Sequence, residues 1–229
     1  MKTIGLLGGM SWESSVEYER LINTEVRARL GGSASADLII RSYNFAEIEA
    51  LQKHDEWGRA GDLLAADATL LERAGADVIV LCTNTMHVVA EAIKEAITIP
   101  FIDIIDVTAA AIRSAGVLDV GLLGTRYTME GPLYRDRLQS HGIGALVPPP
   151  EDRTIVHDII FGELVRGITL DASRLAYVEI ITRLVDAGAS GIVAGCTEIE
   201  LLIDDDDVPV PWFPTTRLHA IAAVDAALS

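Results

Sequence analysis

Cys82 and Cys196 are the residues of this 229-residue chain best suited to acid/base chemistry near neutral pH. An unperturbed thiol titrates at about 8.5, and a helix N-terminus lowers that value further. Each cysteine closes an aliphatic run, Asp77 to Leu81 for the first and Gly191 to Ala194 for the second, and each is followed by threonine. Thr83-Asn84-Thr85 and Thr197-Glu198 have cap-type side chains, which leave backbone N–H groups able to receive a carboxylate; the alternative is that they are helix caps and nothing more. Inverting a stereocentre without a redox cofactor needs one group to take a proton from one face of a carbon and a second to return one to the other face. Two thiols flanking one carbon meet that need. Their wide separation in sequence matches no metal-ligand spacing, and two cysteines are too few for a disulfide framework, so the competing reading is a pair of buried, inert thiols.

The elements that would position the thiols are legible as alternating strand-like and helix-like segments. Apolar runs at Thr3 to Leu7, Asp37 to Tyr43, Asp77 to Leu81, Thr98 to Ile102, Val120 to Leu123, Ala145 to Val147 and Gly191 to Ala194 are continuous rather than alternating, as in parallel strands buried on both faces. Between them, Val16 to Leu30, Glu56 to Ala74, Thr108 to Ala115, Gly131 to Ser140, Asp152 to Arg166 and Ala172 to Ala187 place apolar residues at helical steps, and Thr215 to Leu228 is a final alanine-rich helix. The alternation predicts an α/β fold with right-handed crossovers.

An internal repeat sets the organisation. Ile4-Gly5-Leu6-Leu7-Gly8 recurs as Val120-Gly121-Leu122-Leu123-Gly124. Ala74-Gly75-Ala76, a strand and Cys82-Thr83 recur at nearly the same offset as Ala187-Gly188-Ala189, a strand and Cys196-Thr197. The repeat predicts two similar Rossmann-like, parallel-sheet halves related by a pseudo-two-fold, residues 1–103 and 104–208, with the C-terminal segment 209–229 returning to the first. Both cysteines then lie at carboxyl ends of strands, where open α/β sheets bind ligands, and halves that face each other would bring both thiols to the cleft between them.

Composition removes several function classes. Half the residues are apolar and the mean hydropathy is +0.32, values foreign to disordered chains. No apolar stretch reaches the ~18 residues of a membrane helix, and MKTIGLLGGM has neither the flanks nor the cleavage site of a signal peptide; a soluble cytoplasmic protein is expected. With 34 acidic against 18 basic residues the net charge is −16, which disfavours nucleic acid and anionic membranes as partners. The lysines are Lys2, Lys53 and Lys94, at a strand start, between predicted helices and on a helix face, none placed as a pyridoxal Schiff-base lysine would be.

Five ordered motifs, GLLGGMSWESS (Gly5 to Ser15), SYNFAEIEALQ (Ser42 to Gln52), LCTNTMH (Leu81 to His87), GLLGTRYTM (Gly121 to Met129) and GCTEIELL (Gly195 to Leu202), resemble the aspartate/glutamate racemase family nearly end to end, specifically its bacterial broad-specificity amino-acid racemase branch. The resemblance implies a cofactor-independent enzyme, with neither pyridoxal phosphate nor metal, in which Cys82 and Cys196 are the catalytic proton donor and acceptor. It also implies a homodimer and an amino-acid substrate held by Met10, Gln52, Thr83, Asn84, Thr85, Thr197 and Glu198. Two positions depart from relatives that carry aspartate: Asn44, and Pro214 after Phe213.

Other residues have two readings each. Gly5, Gly8 and Gly9 do not form GxGxxG, so they read as a tight turn that lets backbone approach a ligand. Ser11 could hold a carboxylate or cap the following helix. Thr125 and Thr128 mirror Met10 and Ser11 in the repeat and could line the same cleft. Glu198 could orient or deprotonate Cys196, or be a first-turn acid favoured by the helix dipole. His87 invites a Cys/His pairing, although helical spacing points it away from the thiol. Arg41, Arg126 and Arg166 are candidates for a substrate's second carboxylate, and Asp204 to Asp207 reads as a solvated loop. The expected activity is racemisation of an amino acid, aspartate or glutamate first, by two thiols. The rivals are another isomerase or lyase of the superfamily, of the hydantoin racemase or maleate isomerase type, and a catalytically silent amino-acid-binding protein.

Overall fold

A computed structural model describes residues 1–229. The chain forms two compact units, residues 1–104 together with 219–229, and residues 105–218. In the first unit, β1 (Ile4–Gly8), α1 (Trp12–Leu30), β2 (Leu38–Ser42), α2 (Phe45–Lys53), α3 (Trp57–Arg73), β3 (Val78–Leu81), a 3-10 turn (Thr85–Val89), α4 (Ala90–Ala96) and β4 (Phe101–Ile102) follow in order. The strands form one parallel sheet in the order β2-β1-β3-β4. Side chains leave the sheet alternately, and both faces are covered. Leu7, Ile79 and Leu81 pack with Ile48, Leu64, Leu71 and Ile93 from α2, α3 and α4. Leu6, Val78, Val80 and Cys82 pack with Tyr18, Ile22 and Val26 of α1 and with Ala220, Ala223 and Val224 near the C-terminus. Each large apolar side chain buried in this way contributes ~1.5–3 kcal/mol.

The second unit repeats the plan. After α5 (Ile104–Ser114) come β5 (Asp119–Gly124), α6 (Arg126–Glu130), α7 (Pro132–Ser140), β6 (Gly144–Leu146), α8 (Pro150–Gly162), a 3-10 turn (Leu164–Arg166), α9 (Asp171–Asp186), β7 (Ile192–Gly195), a 3-10 turn (Thr197–Leu201), β8 (Trp212–Pro214) and α10 (Thr215–Leu228). Its parallel sheet has the equivalent order β6-β5-β7-β8. Helix α10 begins in this unit, and from His219 onward it belongs to the first.

The repeated glycine of the two first strands has one physical reason in both units. A Cβ on Gly5 would lie 2.8 Å from Ile79 Cδ1 and 3.0 Å from Ala76 Cβ, and a Cβ on Gly121 would lie 2.7 Å from Ile192 Cδ1 and 3.0 Å from Leu184 Cδ1. A larger residue would push the covering helix off the sheet.

Three elements differ from the sequence expectation. Helix α2 covers Phe45–Lys53, so Lys53 is a helix's last residue and not a linker residue. Short α4 follows directly on a 3-10 turn. Strand β8 falls in the Pro-rich VPVPWFP stretch, where proline is tolerated because the strand is an edge. No helix is long and apolar enough to cross a membrane.

Candidate active site

In the first unit the candidate residues gather at the carboxyl ends of β1 and β3. Cys82 follows β3 directly, and its N–H donates to Leu7 O at 2.9 Å, which carries the sheet pairing one residue beyond the strand. Met10 and Ser11 occupy the turn between β1 and α1, and both are buried. Gly9 enters that turn at φ 81°, and a Cβ there would strike the Tyr43 backbone, so the turn requires glycine. Ser11 caps α1, its side chain accepting from Ser14 N–H at 3.4 Å, and Ser14 Oγ reaches Cys82 O at 3.5 Å. Thr83 and Asn84 are buried and Thr85 is half-buried. Gln52 on α2 joins the group through Met86, its amide donating to the Met86 sulfur at 3.1 Å. Asn44 caps α2, its side-chain oxygen accepting from Ala46 N–H.

The second unit gathers its candidates at the ends of β5 and β7, where Gly124 pairs with Gly195. Thr125 caps α6 by accepting from Thr128 N–H at 3.3 Å, and both threonines are buried. Cys196 directs its sulfur at Glu198, with Sγ 3.0 Å from Oε2, and the same oxygen receives the Thr197 hydroxyl at 2.7 Å. A carboxylate accepting two donors from its own loop is fixed in place although it is buried. The residue at the same distance after Cys82 is Asn84, a neutral amide.

Burial dominates the electrostatics of both thiols and pushes each above its ordinary value. For Cys196 the Glu198 charge and its hydrogen bond push the same way. The thiol form is therefore the favoured one in both units.

The three arginine candidates separate. Arg41 is committed elsewhere: it pairs with Asp67 at 3.0 Å, donates to Ser42 O and stacks on the Tyr43 ring at 4.4 Å. Arg126 and Arg166 are exposed and in no ion pair. The turn that carries Arg166 packs against the turn that carries Glu198. His87 does not meet the Cys82 sulfur; its Nδ1 lies 2.7 Å from Thr83 O. Asp204 caps a small turn with Asp207 and pairs with Arg174, so the acidic run is a locally bonded loop and more than a solvated one.

Several residues of these half-sites had no distinguishing signal in the sequence. Ser15 Oγ accepts from Gly9 N–H at 2.6 Å and so holds the glycine turn; the SxxSS spacing after GGM is the trace it leaves. Glu200 receives the Thr216 N–H at 2.7 Å at the start of α10, and burial pushes its carboxyl up to about 7. No group of three or more His, Cys, Asp or Glu is arranged to hold a metal ion.

Comparison with known proteins covers nearly the whole chain. A family model described as Asp/Glu/Hydantoin racemase matches residues 7–223. The crystal structure of a Yersinia pestis protein, provisionally described as an Asp/Glu racemase, is 50% identical over the full length of both chains with a TM-score of 0.92. An aspartate racemase homologue from Pyrococcus horikoshii OT3 is 33% identical, again over all of both chains, with a TM-score of 0.88. The broad-specificity amino-acid racemase RacX of Bacillus subtilis is 23% identical across 77% of this chain and 74% of its own length.

Proposed function

Since the chain belongs to the Asp/Glu/hydantoin racemase family, a membership that supports racemase activity, we propose that it interconverts the L and D forms of an amino acid, aspartate or glutamate first, with Cys82 and Cys196 as its two acid/base groups. The observation that carries the reading is the equivalence of the two cysteines. Each follows the third strand of its own sheet, each is buried, and each is followed by a buried threonine. In the forward step a thiolate sulfur takes the α-proton: an S–H bond forms, the C–H bond breaks, and the electron pair passes to the α-carbon and its carboxylate. The other thiol then gives its proton to the opposite face, and the thiolate is left on that side. Neither proton transfer calls for a metal or a carbonyl cofactor.

Glu198 makes the pair unequal. By accepting from Cys196 Sγ–H it favours the protonated thiol, while Asn84 in the first unit brings no charge. Both sulfurs are thiols in the free protein, and Cys82, which has no carboxylate beside it, is the one that would give up its proton to act as the first base. Met10, Ser11, Gln52, Thr83, Asn84, Thr85, Thr125 and Thr197 would bind the substrate's amino and carboxylate groups, and the protein would act as a homodimer in the cytoplasm. Arg166 is the cation we assign to the side-chain carboxylate, because it is unpaired and its turn adjoins that of Glu198. Arg166→Met should raise KM for aspartate about 10-fold or more, the loss expected for one charge-assisted hydrogen bond, with little effect on an amino acid lacking a second carboxylate. Equal losses on both substrates would remove this assignment.

The test of the function is incubation with single L-amino acids in D2O, read by chiral chromatography and mass. Formation of the D form with one deuterium at the α-carbon supports the reading. Tight amino-acid binding with no exchange of the α-proton would select a binding protein instead.

A further inference from the structure

The chain passes from the first unit to the second after Ile104 and returns at His219. Both points are tied, within the first unit, to the loop that carries Cys82. His219 is fully buried, with Nε2 2.8 Å from Ile102 O and Nδ1 2.8 Å from the Tyr18 hydroxyl. Because a carbonyl can only accept, Nε2 must hold the proton. His87 is buried too, and its Nε2 receives the Ile104 N–H at 3.2 Å. An amide N–H can only donate, so this nitrogen is bare, and the proton sits on Nδ1, which donates to Thr83 O at 2.7 Å. The two rings meet edge to face at 5.9 Å.

We propose that His87 is a positioning residue for Cys82: its neutral ring ties the Thr83 carbonyl, one residue from the thiol, to Ile104, while His219 ties the returning helix to Ile102. The groups that face the two rings leave the imidazoles uncharged, burial outweighing at His219 the one carboxylate among them, Asp103. They are the Tyr18 hydroxyl from α1, Asp103 from the segment after β4, and each other; Asp103 is itself paired with Lys94 of α4 at 2.9 Å. Burial, with His87 nearby, lowers His219 to about 3. A second proton on His87 would set an N–H of the ring against the Ile104 N–H and break the tie. The Cys82 loop thus has a strut anchored where the chain leaves the unit, and the Cys196 loop is held instead by its own Glu198.

The kinetic arm of the test rests on the racemase reading; two others do not. Long-range 1H–15N spectra of the unaltered protein at pH 7 should show His87 as the neutral Nδ1–H tautomer and His219 as the neutral Nε2–H tautomer. His87→Asn keeps an amide N–H near the Nδ1 position, and His87→Ala removes it. The alanine variant should lower kcat about 10-fold or more with KM nearly unchanged, since displacement of a reacting group by ~1 Å can cost 10²-fold, and the asparagine variant should recover most of the loss. Peptide mapping after iodoacetamide should show Cys82 alkylated at least ~3-fold faster in His87→Ala than in the unaltered protein or His87→Asn, with Cys196 unchanged, as local loosening requires. A charged or Nε2–H His87, or alanine and asparagine variants that behave alike, would overturn the proposal. Should the unaltered protein fail to racemise amino acids, the reading of function falls while the spectra and the alkylation still decide this one; the spectra decide it also if the alanine variant does not fold.

Discussion

Cys82→Ala and Cys196→Ala will each lower racemisation by ~10²- to 10⁴-fold, the contribution of one positioned acid/base group. The loss should differ in kind between them. If, as proposed, one thiol serves each face of the α-carbon, the surviving sulfur can still reach the α-proton of the one enantiomer that presents it. In D2O each variant should therefore place deuterium in one enantiomer without inverting it, and the two variants should choose opposite enantiomers. Mass analysis of the separated L and D forms reads this directly. One variant exchanging both enantiomers, or either retaining full activity, would falsify the two-face assignment.

Glu198→Gln will make Cys196 more acidic. Burial holds both thiols above their ordinary value, so reactivity of either sulfur must rise with pH as the thiolate fraction grows. Glu198 raises Cys196 further by its charge and by accepting the S–H, and the uncharged amide of glutamine removes the charge while leaving the shape. The pH profile of Cys196 alkylation should move to lower pH, with alkylation at pH 7 roughly 10- to 100-fold faster, as removal of an adjacent like charge requires. That of Cys82 should not move. Unchanged Cys196 reactivity would mean that the carboxylate has no hold on the thiol, and the assignment of Cys82 as first base would go with it.

The parts of this molecule that sequence patterns reveal are those governed by local rules. Continuous aliphatic runs mark strands buried on both faces, and repeated glycines mark β1 and β5 because helices α3 and α9 approach closely there. The same repeat places both cysteines at strand ends. Strand β8 is hidden because prolines obscure a short edge strand, and α2 because its pattern is brief and begins at an asparagine cap. Ser11 and Thr125 look like caps and are caps. The pairings of Tyr18 with His219 and of His219 with Ile102 join residues far apart in sequence, and no local spacing announces them. His87 follows the same logic: its ring is defined by what Thr83 and Ile104 can donate or accept, which only the folded chain shows.

The first unit is stitched from two stretches, residues 1–104 and 219–229, whereas the second is one uninterrupted stretch. Synthesis at ~5–20 residues per second therefore leaves an interval on the order of ten seconds between emergence of the first stretch and arrival of the last. During it, the sheet face formed by Leu6, Val78, Val80 and Cys82 lacks Ala220, Ala223 and Val224, and the second unit, whose last strand is Trp212–Pro214, is completed only just before them. The nascent chain must keep that apolar face, with its thiol, from other chains and from oxidants until the final helix docks. The half-built unit is the one a ribosome-bound chaperone would have reason to shield.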